Sequence, residues 1–447
     1  MRKSILSCVG LLLSLGLILP ACDQGATEVP QERVPIRWFV GLGPGTGPEA
    51  QVVEAAFVEQ FNASQDEIEL VLDVAPGGGV FVGAEALQRR IDAGDPPDVV
   101  GPTGTIGLDQ FSDIWMDLEP LLRDTDIDTV NPAVIGTWRV EGRLSGLPTG
   151  VNPAVIYYNR DLFDAASLPY PPRQYGEPYA DGDLWTIEKM EELAMRLTID
   201  AAGNEATSPD FDPDAIVQWG FHWQWESGTG LANLFGPGPA VDESGSAAIP
   251  EHWREAYHWY YDGMWEDHFI PNANEVKRLM DGNSFASGRV AMAHSYLWYL
   301  PRLTGASFEW NVAAVPSYVG TVTVDWSSSM VGVLSTSEHP REAAQVAYAL
   351  ATSPELLALW GNIPVLENLQ ADFVTAIKGE YPGVDLQVAL DGLDYLSDPP
   401  HVGLMPNHAV AYARFDVLRD LMAARGELNL DTEIDRLEMD LQAIFVE

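Results

Sequence analysis

The chain has 447 residues, 46% of them hydrophobic, which is long for one ordinary domain core and enough to fill two. Its 66 acidic residues against 24 basic ones, only four of them Lys, give a net charge of −42. That balance argues against nucleic acid and anionic membrane surfaces as partners, since both reward basic patches. The two cysteines, Cys8 and Cys22, both lie near the N-terminus, so the body holds no disulfide, thiol nucleophile or cysteine metal cluster.

The chain starts MRKSILSCVGLLLSLGLILPAC. Arg2 and Lys3, an apolar run and a small residue form a secretory signal layout, too short and poorly flanked for a settled membrane helix. Leu19-Pro20-Ala21-Cys22 resembles a bacterial lipoprotein lipobox. The resemblance implies cleavage after residue 21 and lipidation of the Cys22 sulfur, hence an extracytoplasmic protein held at the membrane by lipid. Residues 22–33 are polar and read as a tether.

In the body, Ile36–Val40 reads as a buried strand, followed by glycines at 41, 43, 45 and 47 and a helix opened by Pro48 and Glu49. Val52, Val53, Ala56, Phe57 and Phe61 recur at helical spacing; Ile68–Val74 alternates as a strand; Pro96–Val100 is a short buried strand. Strand–helix–strand–helix–strand is the start of an α/β layer with a largely parallel sheet. A strand is expected at Val155–Tyr158 and a helix capped by Thr186, with later helices at Glu251–Asp262, Pro340–Thr352, Ala409–Arg425 and Asp431–Phe445.

Specific chemistry is mostly excluded. Counting G-x-G-x-x-G from Gly41 puts Thr46 in the sixth place, and from Gly43 it puts Pro48 there; the loop also lacks the Lys of a phosphate-binding P-loop. Asp124, Asp126 and Asp128, like Asp210, Asp212 and Asp214, alternate as in a calcium loop but lack its Gly and Glu, and read as solvated turns. No H-E-x-x-H or G-x-S-x-G occurs, and no cofactor or metal is implied. The informative excess is aromatic: 14 Trp, 15 Tyr and 15 Phe. FHWQWE carries Trp223 and Trp225 on one face of an expected strand, HSYLWYL carries Tyr296 and Trp298, and VDWSSS carries Trp326. Trp beside Asp, Ser, His or Gln suits a wet pocket that stacks on an apolar face and bonds hydroxyls, as a sugar ring requires.

Several stretches, in order, resemble the extracellular solute-binding proteins of ABC importers, in the sugar-binding group that includes maltodextrin-binding protein. They are GLPTGVNPAVIYYNRDLF from Gly146, FASGRVAMAHSYLW from Phe285, VAAVPSY from Val312, SSSMVGVLSTSEHPREAAQVAYALATSPE, and LMPN at 404–407. The resemblance implies a two-lobed α/β periplasmic-binding-protein fold of the type II, Venus-flytrap kind. Lobe one would be 34–148 plus 317–360 and lobe two 149–316 plus 361–447, with the solute in the cleft between them. It implies a monomer that delivers its solute to membrane permease subunits without making or breaking a bond. It places Trp298 on the sugar-stacking aromatic, Asn152 on a polar contact, Trp223 and Trp225 on the strand facing the cleft, and Phe415 on a further platform.

Lobe one departs from the pattern. Leu42, Gly43, Pro102 and Thr105 stand where maltodextrin binders carry polar, charged or aromatic side chains. Contacts there would fall to Gly43, Gly45, Thr46, Thr103 and Thr105, and the solute would differ from maltodextrin. A polyol, a glycerol-phosphate ester or a polyamine are alternatives on the same fold; an extracellular carbohydrate-active enzyme or a surface adhesin are alternatives of another class. Mass spectrometry of the protein from membranes is expected to find Cys22 as an acylated N-terminus; an unmodified terminus elsewhere would remove the anchor.

Overall fold

Two sheets divide the chain. The computed structural model describes residues 33–446 apart from 78, 402 and 404, so the expected signal segment, Cys22 and all of the expected tether but Arg33 lie outside the described residues. The first sheet runs in the order Ile68–Val74, Val34–Val40, Val99–Thr103, Met330–Val333 and Leu147–Pro148. Its first three strands are parallel, with Trp38 opposite both Leu72 and Val99; the last two join antiparallel. Parallel neighbours need crossovers, supplied by the helices Pro48–Ser64 and Val80–Asp92. The helix Pro340–Thr352 adds Ala343, Val346, Ala347 and Leu350 to the core around Trp38, Phe39, Val99 and Val331.

The second sheet runs Trp310–Ala313, Asn152–Asn159, Val290–Tyr296, Ile216–Trp223 and Ile199–Asp200, and mixes antiparallel and parallel pairs. Every residue of Asn152–Asn159 and Val290–Tyr296 is buried, as in a sheet covered on both faces. Alternation sends Ile156 and Tyr158 into the core under the helices Ile187–Arg196, Glu251–Trp265, His408–Ala424 and Leu430–Phe445. Val155 and Tyr157 point the other way, onto Phe285, Tyr299, Trp326 and Phe373.

The expected helix over Pro340–Thr352 has those bounds, and those near the C-terminus begin one residue earlier, at His408 and Leu430. The expected strand at Val155–Tyr158 extends to Asn152–Asn159. The segment after 316 differs from expectation. Its hairpin, Ser317–Tyr318 with Thr321–Val322, packs Tyr318 and Val322 on the second sheet's core, where Val324 is also buried. The chain leaves that sheet only after Trp326 and Ser327 have paired with Pro153 and Asn152. Val130 and Val134 likewise pack with Tyr157, on the second sheet's side.

Three segments cross between the sheets, and they are tied to one another. Thr149 N–H donates to the Ser329 carbonyl at 2.7 Å, Ser328 Oγ to the Gly150 carbonyl at 2.6 Å, and Val151 and Ile363 exchange backbone bonds at 2.9 and 3.0 Å. The Asn362 amide donates to Thr149 O and Oγ1, each at 3.2 Å, and accepts from Asn152 Nδ2. Gly150 sits at φ 131°, and a Cβ there would lie 2.5 Å from Asn362 Cβ and 2.7 Å from the Ile363 carbonyl.

Under the glycine loop, on the helix that follows it, Glu54 is wholly buried and neither carboxylate oxygen has a hydrogen-bond partner. Burial pushes its pKa up from 4.5 to about 7, against a smaller opposing pull from the Trp360 indole.

Two outcomes follow from these contacts. Gly150→Ala should destabilise the protein by roughly 2 kcal/mol or more in urea unfolding, because both backbone conformation and space forbid the methyl. For Glu54 the folded state holds the proton more tightly, so its contribution is full below pH 4.5 and is lost as pH rises to 7. The loss is on the order of 3 kcal/mol. Glu54→Gln should flatten that part of the stability–pH curve and raise stability at pH 8; an unchanged slope would assign the pH dependence to other groups.

Candidate functional site

The parallel strands Ile216–Trp223 and Val290–Tyr296 end side by side, with His294 opposite Trp223. Chain leaving the C-terminal ends of parallel strands is free to carry side chains into a crevice. Trp225, two residues past its strand, takes φ 60° and turns outward, 46% exposed. Its indole N–H donates to the Gly282 carbonyl at 2.9 Å, and the Tyr299 ring edge braces it at 5.6 Å. The Trp298 ring lies parallel to it, 7° off at 6.4 Å between centroids, and the Arg302 guanidinium sits over Trp225 at 5.6 Å. Trp298 in turn stacks on Tyr296 at 5.6 Å, and Tyr296 on His401 at 5.6 Å. Four rings therefore form a ladder from the surface to the interior.

The ladder ends on a buried polar cluster. Asp325 is wholly buried and accepts from Tyr296 Oη at 2.7 Å and from Asn233 Nδ2 at 2.6 Å; His401 Nδ1 lies 2.8 Å away. Burial pushes the Asp325 pKa up, but the charge and hydrogen bond of His401 outweigh it and hold the group below its ordinary value. Burial pushes His401 down, and the attraction of Asp325 and then Glu226 reverses this and raises it. Tyr296 is raised well above its ordinary value by burial and by the Asp325 charge. Glu226 accepts from Ser227 N–H through Oε1 at 2.9 Å, while its Oε2 has no partner. Beside Trp225 and Glu226 a cavity of about 450 Å³ opens, lined also by Tyr260, Lys277 and Arg419.

The first sheet reaches this region through the short helix Thr105–Gln110. Thr105 Oγ1 lies 3.1 Å from His408 Nε2, and Asp109 accepts from the Ala409 N–H at 3.3 Å, both across the boundary between the two cores. Burial lowers the His408 pKa to about 4, so the ring meets Thr105 uncharged near neutral pH.

Trp225, Tyr296 and Trp298 are brought together, and Thr105 reaches the boundary between the cores from the first sheet; the other expected residues are dispersed. Trp223 is buried, edge-on to Phe221, Trp259 and Tyr260, because its strand ends there and the period-two pattern does not carry on to Trp225. Phe415 is a core residue packed at 5.9 Å against Trp253, on the stripe Ala411, Phe415, Leu418 and Met422. Trp326 is also core, donating to the Ser397 carbonyl at 2.8 Å. Asn152 belongs to the crossing knot. Thr103 is buried with its hydroxyl 3.3 Å from the Gly104 carbonyl. Gly43 packs on the Pro102 carbonyl, which a Cβ would approach to 2.6 Å, and the Thr46 carbonyl accepts from Gln51 at 2.9 Å.

Sequence reasoning missed Glu226, His294, Asp325, Asn233 and His401. The first three each stand within four residues of an aromatic that it named, which was a usable signal; His401 had none.

The model of the bacterial extracellular solute-binding protein family matches residues 56–389. Chains named as binding proteins in Brucella abortus and Brucella suis are 28% identical over 180 residues, which is 38% of this chain and 39% of each of them. The shared segment thus spans about two fifths of the curated relatives. Among solved structures, an ABC substrate-binding protein from Listeria monocytogenes in complex with cycloalternan superposes with a TM-score of 0.70 at 17% identity, covering 92% of this chain and 99% of that one. The sugar-binding protein MalE from Xanthomonas citri gives 0.68 at 17% identity, covering 92% and 98%. UgpB from Mycobacterium tuberculosis in complex with glycerophosphocholine gives 0.68 at 18% identity, covering 93% and 99%. The fold is that of two-lobed periplasmic solute-binding proteins, and with three quarters of its length inside the family match the chain belongs to the bacterial extracellular solute-binding proteins.

Proposed function

We propose that this protein captures a sugar or oligosaccharide between its two lobes and hands it to the permease of an ABC importer, tethered by lipid on Cys22. The observation that carries the reading is the half-exposed Trp225, held parallel to Trp298 with the Arg302 guanidinium beside it. A pyranose offers an apolar face to an indole and hydroxyls at its rim, and a guanidinium is a fixed array of donors for such hydroxyls. The cavity next to Trp225, bordered by Lys277, Arg419 and Glu226, adds polar groups at an apolar wall. Contact between Thr105 and His408 spans the two cores and is a place where closure could be read. Members of this family and fold bind solutes, and no bond need be made or broken here.

A second reading, a solute carrying a cationic group, draws on one observation: the ladder that starts at Trp225 ends on two buried carboxylates, Glu226 and Asp325.

The test is a thermal-shift screen of saccharides, polyols, glycerol-phosphate esters and polyamines, since a solute that binds only the folded state raises Tm. At least one mono- or oligosaccharide should do so. With that solute, Trp225→Ala and Trp298→Ala should each cost at least about tenfold in affinity while Trp225→Ala leaves unfolding nearly unchanged. Trp223→Ala should instead cost about 3–5 kcal/mol of stability. A broad saccharide panel without any shift would sink the sugar reading, and a shift confined to polyamines would favour the second.

A further inference from the structure

The helix His408–Ala424 packs on the second core through Ala411, Phe415, Leu418 and Met422, yet its own segment supplies no side chain to close its N-terminus. Asn407 stands in the capping position, and Asn there ordinarily accepts from the first turn. Here it takes a left-handed backbone, φ 48°, and makes no cap bond; its side-chain amide donates instead to the Ile444 carbonyl at 2.6 Å. The first turn carries no acidic residue. The Asn407 carbonyl accepts from the Val410 and Ala411 N–H groups, each at 3.0 Å. The Ala409 N–H, second in the helix, donates to Asp109 Oδ2 at 3.3 Å, a residue 300 positions earlier in the chain.

Asp109 belongs to the other core. Its helix, Thr105–Gln110, is fixed there by the buried Leu108, whose carbonyl accepts from the Trp115 indole N–H at 3.1 Å. Thr105 and Asp109 stand four apart, on one face of that helix. They meet consecutive residues of the second core: Thr105 Oγ1 lies 3.1 Å from His408 Nε2, and Asp109 bonds Ala409. Thr105 and His408 are both buried, so the contact is a dry one. A carboxylate at this end of a helix of 17 residues also meets the positive end of its dipole.

We propose that Asp109 is the N-cap of the helix His408–Ala424, supplied from the opposite lobe, and that this cap biases the empty protein towards its closed arrangement. Asp109 is then a positioning residue for solute capture, acting through closure and not by touching the solute. Parting the lobes strips the helix of its cap and leaves the Ala409 N–H to water. Losing a capping acceptor ordinarily changes a folding equilibrium by about 2- to 30-fold, and that is the share of the closed-to-open ratio assigned to Asp109. A solute that binds the closed form gains up to the same factor in affinity. The proposal rests on the reading that the two lobes close around a solute, and not on which solute that is.

The experiment compares small-angle X-ray scattering from the wild-type chain, dialysed free of solute, with that from Asp109→Ala and Asp109→Asn. Wild type is expected to scatter as a closed two-lobed particle. Asp109→Ala should lower the closed-to-open ratio about 2- to 30-fold and raise the radius of gyration while circular dichroism stays that of wild type. Asn caps helices as well as Asp does, so Asp109→Asn should scatter as wild type. A solute-free wild type that scatters as an open molecule overturns the proposal, and that curve decides even where Asp109→Ala does not fold. A folded Asp109→Ala protein with the wild-type curve overturns it too, as does Asp109→Asn opening as far as Asp109→Ala. No saccharide enters the measurement, so a failed sugar panel leaves the cap standing, and a failed cap leaves the sugar reading standing.

Discussion

Everything in this molecule hangs on the way three crossing segments share their hydrogen bonds. Two cores, each with its own sheet, are joined where the chain passes at 149–152, 328–330 and 361–363. Backbone groups there cannot be satisfied by either sheet alone, so the segments satisfy one another. Asn362 is the central piece: one amide bonds Thr149 and Asn152 together, and Gly150 is a glycine because the Asn362 side chain fills the space a methyl would take. A joint of this kind resists stretching and shear, while small backbone rotations at a few residues still let the two cores approach.

That joint sets where a solute site can be. The strand Asn152–Asn159 leaves the knot and runs up the middle of the second sheet, so the neighbouring strand Val290–Tyr296 ends at the boundary between the cores. Tyr296, Trp298 and Trp225 are delivered there by the ends of regular structure rather than by long loops. The polar cluster beneath them is rigid for the same reason: Asp325 precedes the two residues that pair with Asn152 and Pro153, and His294 and Tyr296 share one face of a buried strand. The half-exposed Trp225 thus stands at the outer end of a stack whose inner end is the buried Asp325 and His401.

The fold was largely legible in the sequence because its elements are long and strongly periodic. The helix Pro340–Thr352, with Pro at its first position, and the helix capped by Thr186 could be placed closely. Legibility failed where the period changed within a residue or two. Trp223 and Trp225 alternate in the sequence, yet the strand stops at Trp223, and a left-handed backbone at Trp225 sends the second ring out while the first stays in. Phe415 was legible in another way: its spacing from Ala411, Leu418 and Met422 is that of an inward helix stripe, which outweighs any likeness to a platform position. The polar cluster was illegible as a set. Glu226, His294, Asp325 and His401 lie far apart in the chain, and only the completed second core makes them neighbours.

The order in which the chain supplies those four residues has a consequence of its own. The cluster draws on segments near 226, 294, 325 and 401, and the last comes when nine tenths of the chain has been made. A chain emerging from its N-terminus could already form the first three strands of the first sheet, whose contacts are local. It would hold no complete cluster and no finished base for the aromatic ladder. The four residues can therefore become neighbours only when nearly the whole chain has been made, and the interior of the second core is the last part of the molecule to be completed.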